Sequence, residues 1–253
     1  MSPFLFGAIV FTLGCYVLAM ALALALVWCV SMLTLTRDLG KARNKPKFRE
    51  IFSKSRAINY LSAARLFLFG ARDVWFVVAL PVYLASSFGW DHWSVGGFLA
   101  LWIIAYGVVQ TQAPRVTGKR TGRVPDGKAA MGWALSLALI PALIALALHH
   151  GVHPAFTLVG GLMVFGALFA INSSLHSYLI VSYAGADGVS LDVGFYYMAN
   201  ALGRLLGTLL SGLVFQLYGL EACLWISTLF ILLAALISLG LPRHQLNVGN
   251  EGR

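Results

Sequence analysis

Three ionisable residues, Arg65, Arg72 and Asp73, interrupt the otherwise apolar run LSAARLFLFGARDVW that begins at Leu61, and a fourth, Arg204, interrupts a second such run. If these runs cross a membrane, the charges are costly. A central Arg or Asp costs about 2.5 to 3.5 kcal/mol on insertion, so such residues face a bundle interior or a water-filled pathway and mark an ion or substrate route. Arg65 and Arg72 are seven residues apart, two helical turns, and so share one face. With entry near Tyr60, a rise of ~1.5 Å per residue puts Arg72 about 18 Å deep, near the middle of a core roughly 30 Å thick. Arg65 is then nearer the mouth, where a long side chain can snorkel to the interface. In the second run Tyr197, Asn200, Arg204, Thr208 and Ser211 recur at spacings of three and four, which draws a polar stripe on one helix face. Entry near Val193 puts Arg204 about 16 Å deep.

A guanidinium is a planar fork of donors that matches phosphate or carboxylate oxygens. Neighbouring helical side chains point about 100° apart, so Asp73 is expected to face another helix rather than Arg72, with Arg204 one candidate partner. One carboxylate cannot cancel two arginines. The surplus positive charge predicts an anion site with Arg65, Arg72, Arg204, Asn200 and Asn172 as its ligands; a purely structural Arg–Asp network that fixes helix register is the competing reading. Asn172 and His176 are one turn apart and are placed either to line the same vestibule and relay a proton or to form a packing pair. His149, His150 and His153 resemble a metal site only loosely, because no carboxylate or cysteine accompanies them in sequence. No metal or other cofactor is implied. Gly203, Gly207 and Ser211 form a ridge of small residues that favours close helix contact. The sequence has no HExxH, G-x-S-x-G or P-loop pattern, so neither an enzyme of those types nor an ATP-driven pump is expected.

The elements that must position these residues are membrane helices. The chain is 59% hydrophobic and 11% charged, with mean hydropathy +0.82, outside the range of soluble domains. Apolar runs at 4–35, 60–86, 94–112, 129–149, 154–183, 193–218 and 220–241 predict an all-α polytopic bundle of about seven helices. The first run is too long for a secretory signal and lacks a basic leader, so it reads as a retained helix. Cys15, Cys29 and Cys223 lie inside apolar runs, which excludes a secreted disulfide framework. A net charge of +9 reflects topology rather than nucleic-acid binding, because the basic residues sit in loops between spans.

Those residues set an orientation. The segment from Arg37 to Arg56 carries eight Lys and Arg residues (Arg37, Lys41, Arg43, Lys45, Lys47, Arg49, Lys54, Arg56) against Asp38 and Glu50, which predicts a cytoplasmic loop. The loop with Arg115, Lys119, Arg120, Arg123 and Lys128 and the tail with Arg243 and Arg253 fall on the same side; the loop at 184–192 holds only acids, and the remaining loops have no Lys or Arg. The amino terminus is then outside and the carboxy terminus cytoplasmic. One helix, a long basic loop and six further helices is what a twelve-helix transporter leaves when its first five helices are removed; a natural seven-helix protein, or a membrane assembly subunit without a transport cycle of its own, is the competing reading.

LSAARLFLFGARDVWFVVALPVY at Leu61–Tyr83 and NALGRLLGTLLSGLVFQLYGL at Asn200–Leu220 resemble the organoarsenical efflux (ArsJ-type) branch of the major facilitator superfamily, from its sixth helix onward. The resemblance implies a sixth-helix equivalent at 1–36, a basic linker at 37–59, a six-helix carboxy-terminal half at 60–242 and a tail at 243–253. It further implies export across a bacterial inner membrane of 1-arseno-3-phosphoglycerate, an anion made by a partner glyceraldehyde-3-phosphate dehydrogenase, and an amino-terminal transporter half to complete the cavity. Proton exchange follows from the superfamily, with Asp73 and then His176 as candidate carriers. Arg120-Thr121-Gly122-Arg123 matches part of the superfamily loop signature, but Lys119 stands where its aspartate belongs.

Overall fold

The computed structural model describes residues 3–34, 55–119, 125–184 and 189–242, all but a few short connections of which are helical. The basic segment at 37–54, loop residues 120–124 and 185–188, and the tail at 243–253 lie outside the described residues. Among those described there is no strand, and the fold is all-α.

Helix α1 (Pro3–Thr34) is one unbroken, uncharged helix of 32 residues and belongs to a unit of its own, Met1–Lys45. The second unit, Pro46–Arg253, contains α2 (Arg56–Phe76), α3 (Ala79–Phe88), α4 (His92–Pro114) with a short π-helical turn at Arg115–Lys119, α5 (Gly127–His149), α6 (Pro154–Tyr183) and α7 (Val189–Ser238). Five segments, Arg56–Phe88, His92–Thr117, Gly127–His149, Pro154–Tyr183 and Val189–Ser238, are long and apolar enough to cross a membrane, and Leu18–Thr34 is a shorter apolar stretch. The chain is a multi-pass membrane protein.

α7 divides at Gly219, whose φ of 77° and ψ of −173° lie in a region essentially restricted to glycine. The chain reverses there. Cys223 Sγ approaches the Ser211 carbonyl at 4.0 Å, although twelve residues of straight helix would separate them by about 18 Å. The limbs α7a (189–218) and α7b (220–238) are therefore a hairpin, in agreement with the two apolar runs read from the sequence.

The run at 60–86, expected as one helix, is interrupted between α2 and α3. Pro81 has no N–H to offer the carbonyl four residues earlier, and its ring crowds that turn. The amides freed by the break are satisfied from outside, because Val78 N and Ala79 N donate to Ser211 Oγ at 3.3 and 3.0 Å. In an apolar setting an unpaired amide costs several kcal/mol, roughly, so this hydroxyl is what lets the break persist. Short connections at the other ends are set by caps: Asp91 accepts from Ser94 N at 2.8 Å and Asp126 from Lys128 N and Ala129 N at 3.0 and 3.1 Å.

α2 packs most extensively against α7; α5 bridges α7 and α6, and α6 carries α4. The crossing of α2 and α7a is lined by glycines. A Cβ on Gly207 would stand 2.6 Å from the Gly70 carbonyl oxygen and 3.0 Å from Asp73 Cβ, and one on Gly70 would stand 3.1 Å from the Gly203 carbonyl oxygen. Backbone thus meets backbone, as the ridge of small residues predicts. Gly207→Val is expected to destabilise the fold by about 3 kcal/mol through overpacking. Gly212→Ala, whose methyl would meet only Val78 Cγ1 at 4.0 Å, should leave stability unchanged or raised. Thermal unfolding of the two variants in detergent checks the contrast.

Candidate functional site

The close crossing carries the charged residues of α2 and α7a into contact. Asp73 is 1% exposed and accepts from two arginines at once, Arg72 Nε to Oδ1 at 2.6 Å and Arg204 Nε to Oδ2 at 3.1 Å. The pairing with Arg204 agrees with the sequence reading. The pairing with Arg72 corrects it. Adjacent Cβ atoms do diverge, but the flexible arginine chain curls back so that its Nε, rather than its tip, meets the carboxylate. Both bonds use Nε, so Asp73 leaves the terminal nitrogens of both guanidiniums unengaged. The triad keeps one net positive charge, with Arg72 15% and Arg204 54% exposed.

Arg65, expected to snorkel to the interface, is instead 4% exposed. α6 and α7a cover it and replace water with polar groups of their own. Its Nε donates to Asn200 Oδ1 at 3.1 Å, and its Nη1 to the Ser173 carbonyl at 3.1 Å and Ser173 Oγ at 3.4 Å. Its guanidinium carbon lies 3.8 Å from the centroid of Phe69 and 5.0 Å from that of Tyr196. Among the described residues no carboxylate pairs with it. Asn200, read as a substrate ligand, is thereby a support for Arg65.

Asn172 is fully buried and ties α6 to α5, its Nδ2 donating to the Trp133 carbonyl at 3.0 Å and the Leu168 carbonyl at 2.9 Å. Its Nδ2 is thereby committed to backbone carbonyls, while its Oδ1 has no hydrogen-bond partner. His176 is 1% exposed and its Nδ1 has no hydrogen-bond partner. Of the polar stripe on α7a, Tyr197 and Arg204 are exposed, Asn200 and Thr208 half-buried, and Ser211 buried where it holds the α2–α3 break. Near the Gly219 turn, Glu221 Oε2 lies 3.4 Å from His149 Nδ1, a carboxylate that the sequence spacing around the histidines did not reveal. No group of three metal-ligating residues assembles there among those described.

The aromatic surroundings of the arginines are the part sequence reasoning missed. Arg72 rests 5.1 Å from the Phe69 centroid and 5.3 Å from that of Phe169. A signal was present, because Phe69 lies four residues after Arg65 and three before Arg72, on their helix face.

No known protein family and no curated protein matches this chain. The site consists of two guanidiniums sharing one carboxylate and a third held without one. The terminal nitrogens of Arg72 and Arg204 that Asp73 leaves free are donors of the kind that match oxyanions.

Removing the shared carboxylate isolates the balance. Asp73→Asn leaves two guanidiniums uncompensated and is expected to cost about 3 to 5 kcal/mol. Adding Arg72→Met should recover part of that loss, with non-additivity of about 1 to 3 kcal/mol in a double-mutant cycle followed by denaturant unfolding. Strict additivity would mean that the contact contributes nothing.

Proposed function

We propose that this protein is a secondary carrier of the major facilitator type that exports an organoarsenical anion, 1-arseno-3-phosphoglycerate, in arsenate resistance. The observation that supports it is the surplus of guanidinium over carboxylate within apolar helices, three arginines to one aspartate around a single helix crossing. Uncompensated charge at membrane depth is costly, and a bound anion offsets it. In this reading Arg72 and Arg204 contact the anion, Arg65 supplies a fixed positive field, and Asp73 and His176 are the groups through which a proton can couple. Arg204 is 54% exposed on an otherwise apolar helix, which favours a water-filled cleft and a second, amino-terminal transporter half over this face rather than lipid. The carrier would lie in a bacterial inner membrane with α1 starting outside and the tail in the cytoplasm, and would draw its substrate from a partner glyceraldehyde-3-phosphate dehydrogenase.

A guanidinium fork does not distinguish arsenate from phosphate oxygens, so export of another phosphorylated organic anion is the second reading that the same geometry supports. Arsenic content and arsenate tolerance separate the two. In an arsenic-sensitive bacterium expressing the dehydrogenase partner, the protein is expected to lower cell arsenic, and Arg72→Ala at equal membrane abundance is expected to abolish the effect. Unchanged arsenic with protein present in the membrane would remove the organoarsenical assignment and leave the other anions. Unchanged protection in Arg72→Ala would remove Arg72 from the site.

A further inference from the structure

Arg65 and Arg72 lie on one face of α2, and each carries a like charge into a setting with little water. One ring serves both. The guanidinium carbon of Arg65 is 3.8 Å and that of Arg72 is 5.1 Å from the centroid of Phe69, which is itself 7% exposed. Phe69 in turn meets Phe169 of α6 edge to face, with centroids 5.1 Å apart and planes at 62°. Arg72 also approaches Phe169, at 5.3 Å, so it sits against the corner that the two rings make.

The face of an aromatic ring is negative and attracts a cation most strongly where water is excluded. A ring contact also constrains a guanidinium in a way that a carboxylate does not, because it leaves the in-plane N–H donors free. For Arg72 this matters, since its Nε is already committed to Asp73 and only the terminal nitrogens remain to meet an oxyanion. Ser173 and Asn200 hold Arg65 on its other edges, so Phe69 links a fixed guanidinium to one whose terminal nitrogens are uncommitted.

We infer that Phe69 is the positioning residue of the anion site: its ring, braced by Phe169, holds the guanidiniums of Arg65 and Arg72 in register and turns the free edge of Arg72 toward the ligand, without touching the ligand itself. This rests on the anion-binding reading above. It predicts that anion affinity depends on the electrostatics of the ring and not only on its volume.

The test is a titration of the purified protein in lipid nanodiscs with 3-phosphoglycerate and with inorganic phosphate, followed by intrinsic tryptophan fluorescence. Wild type is compared with Phe69→Leu and with protein carrying a mono-, di- or trifluorinated phenylalanine at position 69. Fluorination keeps the ring's shape while draining charge from its face. Kd is expected to rise stepwise with fluorine number and to reach tenfold or more above wild type in the trifluorinated protein and in Phe69→Leu. The thermal midpoints of the fluorinated proteins should stay at the wild-type value. A loss in Phe69→Leu with no trend across the fluorinated series would overturn the inference, because the ring would then be packing alone, and wild-type Kd throughout would overturn it as well. The fluorinated series decides the matter even if Phe69→Leu does not fold. Wild-type protein that binds neither anion would overturn the anion-binding reading itself, and the positioning role with it.

Discussion

The backbone-to-backbone crossing of α2 and α7a is the constraint on which the rest of the structure depends. Gly70, Gly203 and Gly207 let the two helices approach more closely than any side chain would allow, and at that separation Asp73 takes Arg204 of α7a as well as its neighbour Arg72. The same approach presents Ser211, one turn further along α7a, to the amides exposed by the α2–α3 break. Packing, backbone satisfaction and charge pairing thus rest on one stripe of small residues. A wider crossing would cost all three together.

The charges are ordered by their access to solvent. Arg65 is buried and held by amide, hydroxyl, carbonyl and ring contacts; Asp73 is buried between two arginines; Arg204 is half exposed. Burial of unlike charges seldom adds net stability, because desolvation offsets most of the attraction. A network that keeps more arginine than aspartate has less to gain still from structure alone. In the proposed carrier a bound anion would offset that surplus.

Much of this was legible in the sequence because the bilayer leaves few solutions. Apolar length gave the spans, and the small-residue spacing of Gly203, Gly207 and Ser211 gave the close contact. Similar depth on two helices made Arg204 one candidate partner for Asp73. What stayed hidden depended on side-chain flexibility or on distant partners. The curl of Arg72 back to its neighbour cannot be deduced from helical angles, and the burial of Arg65 depends on Ser173 and Asn200, more than a hundred residues away. Glu221 reaches His149 only because Gly219 folds the last helix back. The break before Pro81 was legible in principle, yet hydropathy alone reads straight through it.

In the proposed carrier the free edges of Arg72 and Arg204 meet an oxyanion at this crossing. The most direct measurement is magic-angle-spinning NMR of protein with 15N-labelled arginine in bilayers, recording 31P–15N dipolar dephasing after inorganic phosphate is added. The account predicts dephasing of guanidinium nitrogens that disappears in Arg72→Ala. Absence of any 31P–15N contact at saturating phosphate, with the bundle intact, would contradict it.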